Sequence, residues 1–458
     1  MTKQGKLTKN ELSLFALTWP IFVEVLLHML MGNADTLMLS QYSDAAVAAV
    51  GVANQVLVVI IVMFGFVATG TGIIVAQYLG ANSSKSASEV VVTALSVNFL
   101  FGLALSLVLF LFGKPILLVM NLPEELIEQA LNYLKIVGGF SFVQALIMTV
   151  AASLRSYSFT KDAMYVTMGM NALNVIGNYL FIFGPFGFPV LGVTGVAIAT
   201  SVSRSIGLVV LLVLIVRRID EKLPLSMLFT FPRHHIRSLL KIGIPSAGEH
   251  LAYNMSQMMI MYFIAMMGTE AITTKVYTQN LMIFIFLFSI ASGQGTQILI
   301  GRYIGAKRVD DAYTRCLTSL KMAMVISVSA AIAFSILSDR LFSIFTTDPD
   351  IITLGGTLLA MTIILEPGRA FNLVVINSLR ATGDVKFPVY MGIISMWGIS
   401  VPLAYVAGIV FDWGLVGVWL AFIVDEWLRS VIMLIRWRSR VWERMAFVHD
   451  EKELAEVR

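Results

Sequence analysis

Apolar residues run through the chain in twelve long stretches, near 14–39, 45–78, 90–113, 130–152, 163–184, 190–216, 239–264, 271–300, 315–338, 351–378, 388–410 and 414–438. Charged residues, glycine or proline close each one. About 20 apolar residues in helical form fill the hydrocarbon core of a bilayer. The pattern therefore predicts an all-α integral membrane protein with twelve transmembrane helices and short loops. Composition agrees: 58% of the 458 residues are hydrophobic and 13% charged, with a mean hydropathy of +0.84, outside the range of an ordinary soluble domain. Twelve spans leave no room for a large soluble domain. The opening segment MTKQGKLTKNELSLFALTWP is basic and then amphipathic, and no small-residue cleavage site closes the first apolar run. A retained first helix is expected.

Charge adds an orientation. With the start taken as cytoplasmic, the inner loops collect Lys85, Arg155, Lys161, the set from Arg217 to Lys241, Arg302, Lys307, Arg308, Arg380 and Lys386, and the tail adds Arg436, Arg438, Arg440 and Arg444. The outer loops carry mostly Asp44, Glu124, Glu125, Glu128, Glu270, Asp348, Asp350 and Asp412, with Lys114 and Arg340 as exceptions. The positive-inside rule then predicts a multi-pass protein of the cell membrane with both termini cytoplasmic. A net charge of +4 raises nucleic acid as a partner, but the basic residues sit in loops between spans, so the partner they fit is the lipid bilayer and no nucleic acid is expected. The single cysteine, Cys316, excludes an intrachain disulfide and a CxxC metal site.

The chain also repeats. Adding 225 carries Pro20, Glu24, Gly70, Thr71 and Tyr78 onto Pro245, Glu249, Gly295, Thr296 and Tyr303, and Leu154, Arg155, Lys161 and Tyr165 onto Leu379, Arg380, Lys386 and Tyr390. Near the sixth and twelfth runs the register slips by three, where Gly192 and Gly195 match Gly414 and Gly417. Each half is thus six helices. Because an even number of spans separates equivalent positions, the halves are parallel repeats related by an axis along the membrane normal. The expected organisation is two pseudo-symmetric six-helix bundles: an amino-terminal lobe over 1–217, a cytoplasmic linker over 218–238, and a carboxy-terminal lobe with tail over 239–458.

Ionisable residues inside a membrane are costly and by default face a cavity, a partner or an ion path. Glu24, His28 and Asp35 fall at i, i+4 and i+11 of the first helix, within roughly 40° of one face at 100° per residue. Asp35 is close enough to the outer end to be read instead as a solvated helix terminus. Asn171, Asn174 and Asn178 share one face of the fifth helix. Their amide oxygens suit a hard cation, or equally glue between helices. Glu249, Tyr253 and Ser256 line one face of the seventh helix, where Glu24 and Glu249 are either cavity groups or matching structural posts. Glu366 with Arg369, at i, i+3, and Asp425 with Arg429, at i, i+4, read as internal ion pairs. Otherwise intramembrane positive charge is sparse. The 25 methionines and 29 phenylalanines read as lipid-facing and core filler more readily than as an adaptable pocket. Gly70-Thr71-Gly72 and Gly293-Gln294-Gly295 read as helix contacts. No Gly-x-x-x-x-Gly-Lys-Ser/Thr sequence occurs, which argues against ATP drive. His234 and His235, in the linker, read as solvated.

Four motifs give the chain a family likeness: WPIFVEVLLHMLMGNADTLMLS in the first helix, AQYLGANSSKSA and GRYIGAKRVDDA after the second and eighth, LRSYSFTKD and LRATGDVKFP after the fourth and tenth, and NALNVIGNYLFIFG with LGVTGVAIAT in the fifth and sixth. Over nearly its whole length the sequence resembles the multidrug and toxic compound extrusion (MATE) transporters. That resemblance implies a V-shaped pair of six-helix bundles that export amphiphilic, often cationic organic compounds against inward sodium or proton flow. It implies that Asp35 is the coupling carboxylate, with Asn174, Asn178 and Thr200 completing a cation site that a proton or Na+ could occupy. Where several members carry a second acid, this chain has Asn178, which leaves Asp35 as the only carboxylate of that set and gives protonation weight. The carboxy-terminal sodium site of the NorM-like branch aligns its acids with Tyr253 and Arg369, so that site is expected to be absent.

The reading is therefore a secondary active multidrug antiporter, with no cofactor beyond the coupling ion H+ or Na+, drug-like organic substrates, and function as a monomer. Asp35, Asn174, Asn178 and Thr200 are its cation-coupling set, and Glu24, His28, Glu249 and Tyr253 its further cavity groups. The main rival is a lipid-linked or polysaccharide flippase of the same superfamily. A membrane-embedded enzyme would need clustered acid, His or Ser groups near one interface, which the sequence lacks, so no enzymatic activity is expected.

Overall fold

The computed structural model describes residues 13–120, 122–219 and 221–448. The basic start and the last part of the tail lie outside the described residues. Among the described residues, twelve long helical segments follow one another: α1 Leu14–Ser40, α2 Asp44–Gly80, α3 Ser84–Val119, α4 Glu124–Gly138 with Ser141–Ser156, α5 Thr160–Phe183, α6 Gly192–Arg218, α7 Arg233–Met266, α8 Thr269–Gly305, α9 Val309–Ile336, α10 Pro349–Thr382, α11 Lys386–Val410 and α12 Gly414–Arg438. Nine are long and apolar enough to span a bilayer by themselves, and the two pieces of α4, bent by 42°, qualify together. The other two, α7 and α12, carry charge that lowers their hydropathy: Arg233, Arg237 and Lys241 at the start of α7, and Asp425, Glu426 and Arg429 within α12.

Most helices start before their apolar run. Ser84 precedes the run at 90, Glu124 that at 130, and Val309 that at 315. The hydrophobic pattern marks only the part that matches the hydrocarbon, while the backbone ladder continues through polar turns such as Glu124–Glu128.

The chain divides into two compact units, residues 23–243 and residues 1–22 with 244–458. The division falls inside α1 and α7, close to the equivalent prolines Pro20 and Pro245. In the first unit the core gathers Leu39, Val50, Leu57, Leu109, Tyr133 and Val196. In the second, one cluster is built on Ile264, Phe342, Leu358 and Trp419, and another on Ile300, Val374, Trp437 and Trp442. Large apolar side chains elsewhere are exposed, for example Leu107, Phe110, Leu111 and Phe112 along α3, as expected where lipid is the solvent.

The repeat recurs in backbone geometry. The α2–α3 and α8–α9 turns pass through Asn82 at φ 57° and Lys307 at φ 58°. Each is closed by two bonds at the same offset: Asn82 N to Leu79 O and Ser83 N to Tyr78 O, against Lys307 N to Ile304 O and Arg308 N to Tyr303 O. The slipped register recurs too. Gly192 and Gly414 both open their helices at positive φ, 53° and 56°, and one turn on, Gly195 and Gly417 lie at close helix crossings. A Cβ would meet Phe181 Cβ at 2.3 Å in one and the Ala407 backbone at 2.6 Å in the other.

Candidate functional site

In the unit spanning 23–243, α1 passes its polar stripe along α4, α5 and α6. Asp35 is buried, and so are Asn174, Asn178 and Thr200, on α5 and α6. One chain of hydrogen bonds joins them. Asn178 Nδ2 donates to Asp35 Oδ1 at 2.6 Å and to Asn174 Oδ1 at 3.4 Å, and Asn174 Nδ2 donates to Thr200 Oγ1 at 3.0 Å. Asn171 ties α5 to α1 directly, donating to the Leu27 carbonyl at 2.8 Å. The amide oxygens of Asn171 and Asn178 are buried without a hydrogen-bond partner. Burial of Asp35 rules out the solvated-terminus reading. Among the described residues it makes no ion pair within 4 Å.

Glu24 is placed differently. Its Oε1 accepts from Arg155 Nη1 of α4 at 2.8 Å in a pair that is mostly withdrawn from solvent. His28, one turn along α1, is exposed, with Glu24, Arg155 and Arg204 as its charged neighbours. Arg204 is the residue the sequence reading missed. It lies one turn beyond Thr200 on α6, within electrostatic reach of Asp35 and Tyr133, and its Nε is buried and unpartnered. Tyr133 of α4 donates to Asn54 Oδ1 of α2 at 3.3 Å. The signal for Arg204 was available: a lone arginine in the sixth apolar run, i+4 from Thr200. Intramembrane positive charge is less sparse than expected.

In the other unit the repeat produces the same post. Glu249 of α7 accepts from Arg380 of α10, the pair related to Glu24 and Arg155 by the offset of 225. Tyr253 is partly exposed and faces Arg369 and Arg429. Ser256 donates back to the Tyr253 carbonyl at 2.8 Å and is satisfied within its own helix. Both intrahelical ion pairs are present: Arg369 to Glu366 at 2.8 Å and Arg429 to Asp425 at 2.8 Å. Glu426, which sequence reasoning passed over, joins them, standing 3.1 Å from Arg429 and 3.8 Å from Arg369. Two helix-local pairs thus become one network between α10 and α12.

A further expectation fails. His235 is buried rather than solvated. Its Nε2 lies 3.5 Å from Glu89 Oε2 of α3, and its ring meets Tyr78 of α2 edge-on. The start of α7 packs on the amino-terminal helices, a tertiary contact that a charged linker composition conceals.

Comparison with known proteins agrees with this architecture. The MatE family model matches residues 20–180 and 245–406, two segments that begin 225 residues apart. An uncharacterised transporter of Bacillus subtilis, YisQ, is 58% identical over 430 residues, covering 94% of each chain. A probable multidrug resistance protein, NorM, of Thermotoga maritima is 28% identical over 440 residues, covering 96% of this chain and 94% of its own. Among solved structures, an outward-facing multidrug resistance MATE family transporter of the MOP superfamily superimposes with a TM-score of 0.86 at 18% identity, over 93% of this chain and 95% of that one. A MOP superfamily transporter from Pyrococcus furiosus, described by the reverse polarity of its binding pocket, gives 0.83 at 18% identity, over 94% and 98%. With its two halves each matched by one family model and its relatives aligned along nearly their full length, the chain belongs to the MatE family of membrane transporters.

Proposed function

We propose that the protein is a secondary active exporter of amphiphilic organic compounds in the cell membrane, with Asp35 as its coupling carboxylate. The carrying observation is the contrast within one polar stripe: Glu24 is neutralised by Arg155, whereas Asp35 is buried with an amide donor and no ion-pair partner. A buried acid without an ion-pair partner within 4 Å is the group of this stripe that an arriving cation can neutralise. The multidrug resistance relatives support organic compounds as cargo, and the loop charges support cytoplasmic termini. Function as a monomer is part of the same proposal.

Of the two coupling ions, the donor set favours a proton. A sodium ion could take the orphaned Asn178 oxygen beside Asp35, but it would have one carboxylate only and a guanidinium, Arg204, in the same field. A proton needs only the carboxylate oxygen. The membrane potential adds about 2.3 kcal/mol per charge per 100 mV, enough to bias a gating step of a few kcal/mol. Asp35→Asn is expected to insert and fold while losing gradient-driven export of a fluorescent cationic dye from proteoliposomes. Full retained transport would remove Asp35 from this role.

Arg204 favours a second reading, a flippase for a lipid-linked or polysaccharide anion, because a guanidinium whose Nε is buried without a partner suits an anionic group. Gradient-independent translocation of a lipid-linked sugar, lost in Arg204→Gln, would select it.

A further inference from the structure

The network between α10 and α12 does not balance. Three carboxylates, Glu366, Asp425 and Glu426, meet two guanidinium groups, Arg369 and Arg429. Nearby, Glu249 and Arg380 form a pair that is neutral by itself, with the His250 imidazole beside them as the further titratable group. An uncompensated negative charge among membrane helices costs several kcal/mol even after relaxation, so the excess has to be cancelled.

The three acids are not equally supplied with donors. Asp425 accepts from Arg429 at 2.8 Å and from Ser395. Glu426 accepts from Asn372 at 2.7 Å and pairs with Arg429 at 3.1 Å. Glu366 has one donor, Arg369, on Oε1. Its Oε2 is buried without a hydrogen-bond partner, and the residue is 0% exposed. A carboxylate oxygen with no donor is the least favourable place in the network for negative charge. The groups that face the network from neighbouring helices do not relieve it: Glu426 of α12 adds a like charge beside Glu366, Arg369 is shared with Tyr253 of α7 and with the Phe286 ring of α8, and Arg429 is shared with Glu249 and Tyr253 of α7.

We propose that Glu366 holds a proton on Oε2 and is a second protonation site of the transporter, in the unit that does not contain Asp35. An O–H bond forms on Oε2 as a hydronium ion of the aqueous phase gives up its proton and leaves as water, and the network becomes neutral, two carboxylates against two guanidinium groups. A metal ion does not fit the same place: among the described residues no three His, Cys, Asp or Glu side chains come together closely enough to hold one, and here the guanidinium groups stand between the acids. The protonation itself is independent of any transport activity. Its share in coupling rests on the efflux reading above.

The test is infrared difference spectroscopy of the full chain in lipid nanodiscs, in an Asp35→Asn background that removes the other candidate acid. The expected result at neutral pH is a carbonyl band of a protonated carboxylic acid that is lost in Glu366→Gln. It is also lost in Glu426→Gln, where Glu366 is intact but two acids now balance two arginines, so Glu366 ionises. A merely structural role for Glu366 would not make its proton depend on Glu426. Survival of the band in either variant, or its absence before either is made, overturns the proposal, and if Glu366→Gln does not fold, Glu426→Gln decides alone. Because the band is read without transport, failure of the efflux reading leaves this result standing. In proteoliposomes, one proton fewer per substrate in Glu366→Gln would tie the site to coupling.

Discussion

Glu24 and Asp35 show how much a side chain's partner decides. Both are buried acids on one stripe of α1, yet Glu24 has Arg155 at 2.8 Å and Asp35 has an asparagine amide at 2.6 Å. Removing one partner of a buried pair strands the other charge, typically at a cost of about 3–5 kcal/mol. Arg155→Gln is therefore expected to lower stability by about 3 kcal/mol, and Glu24→Gln with Arg155→Gln by clearly less, as read by thermal unfolding in detergent. Equal losses for the single and double variants would mean that the pair is not what holds α1 to α4. At Asn178 the expectation concerns ions. Asn178→Asp puts a second carboxylate against Asp35 and should introduce sodium-stimulated transport, measured as dye efflux against external sodium at fixed pH, and an unchanged sodium response would contradict the reading of that position. The stripe was legible from i, i+4 and i+11 spacing alone. The identity of each partner was not, because Arg155 lies 131 residues from Glu24 and Arg204 comes from a third helix. Spacing reports faces of one helix and says nothing of what faces them.

At the scale of elements, the repeat carried most of the legible information. It was read from matched residues, and it returns as matched hydrogen bonds at the Asn82 and Lys307 turns and as matched glycines at the openings of α6 and α12. Gly417 has no space for a side chain, since a Cβ would sit 2.6 Å from the Ala407 carbonyl carbon and oxygen. Gly417→Ala should cost about 1–3 kcal/mol, the usual penalty for overpacking. Gly169→Ala on α5, where nothing lies within 4 Å, should be neutral or stabilising by up to about 1 kcal/mol, because alanine is the better helix former. Comparable losses at both glycines, in a melting assay on purified protein, would show that close packing at the α11–α12 crossing is not what Gly417 provides. Helix starts were less legible than helix centres. The hydrophobic pattern ends where the hydrocarbon does, and the polar first turns of α3, α4 and α9 continue beyond it.

For the whole molecule, twelve spans in two six-helix sets followed from the apolar runs and the repeat, because length in a bilayer is fixed by physics rather than by family. The charge network of α10 and α12 was visible only as two isolated pairs, since the helical rule that finds i, i+3 and i, i+4 partners cannot see Glu426 bridge two helices. The substrate is not written in any motif, because an adaptable pocket is defined by its shape. Asp35 is proposed to drive export through its neutralisation by a cation, for which the donor set favours a proton. That role is tested most directly in proteoliposomes loaded with a fluorescent cationic dye, with a pH gradient and a sodium gradient imposed separately and Asp35→Asn as the control. Dye movement is expected to be driven by the pH gradient, to be weak or absent with sodium alone, and to be abolished in Asp35→Asn. Dye movement that neither gradient drives, or that Asp35→Asn leaves intact, would contradict that role.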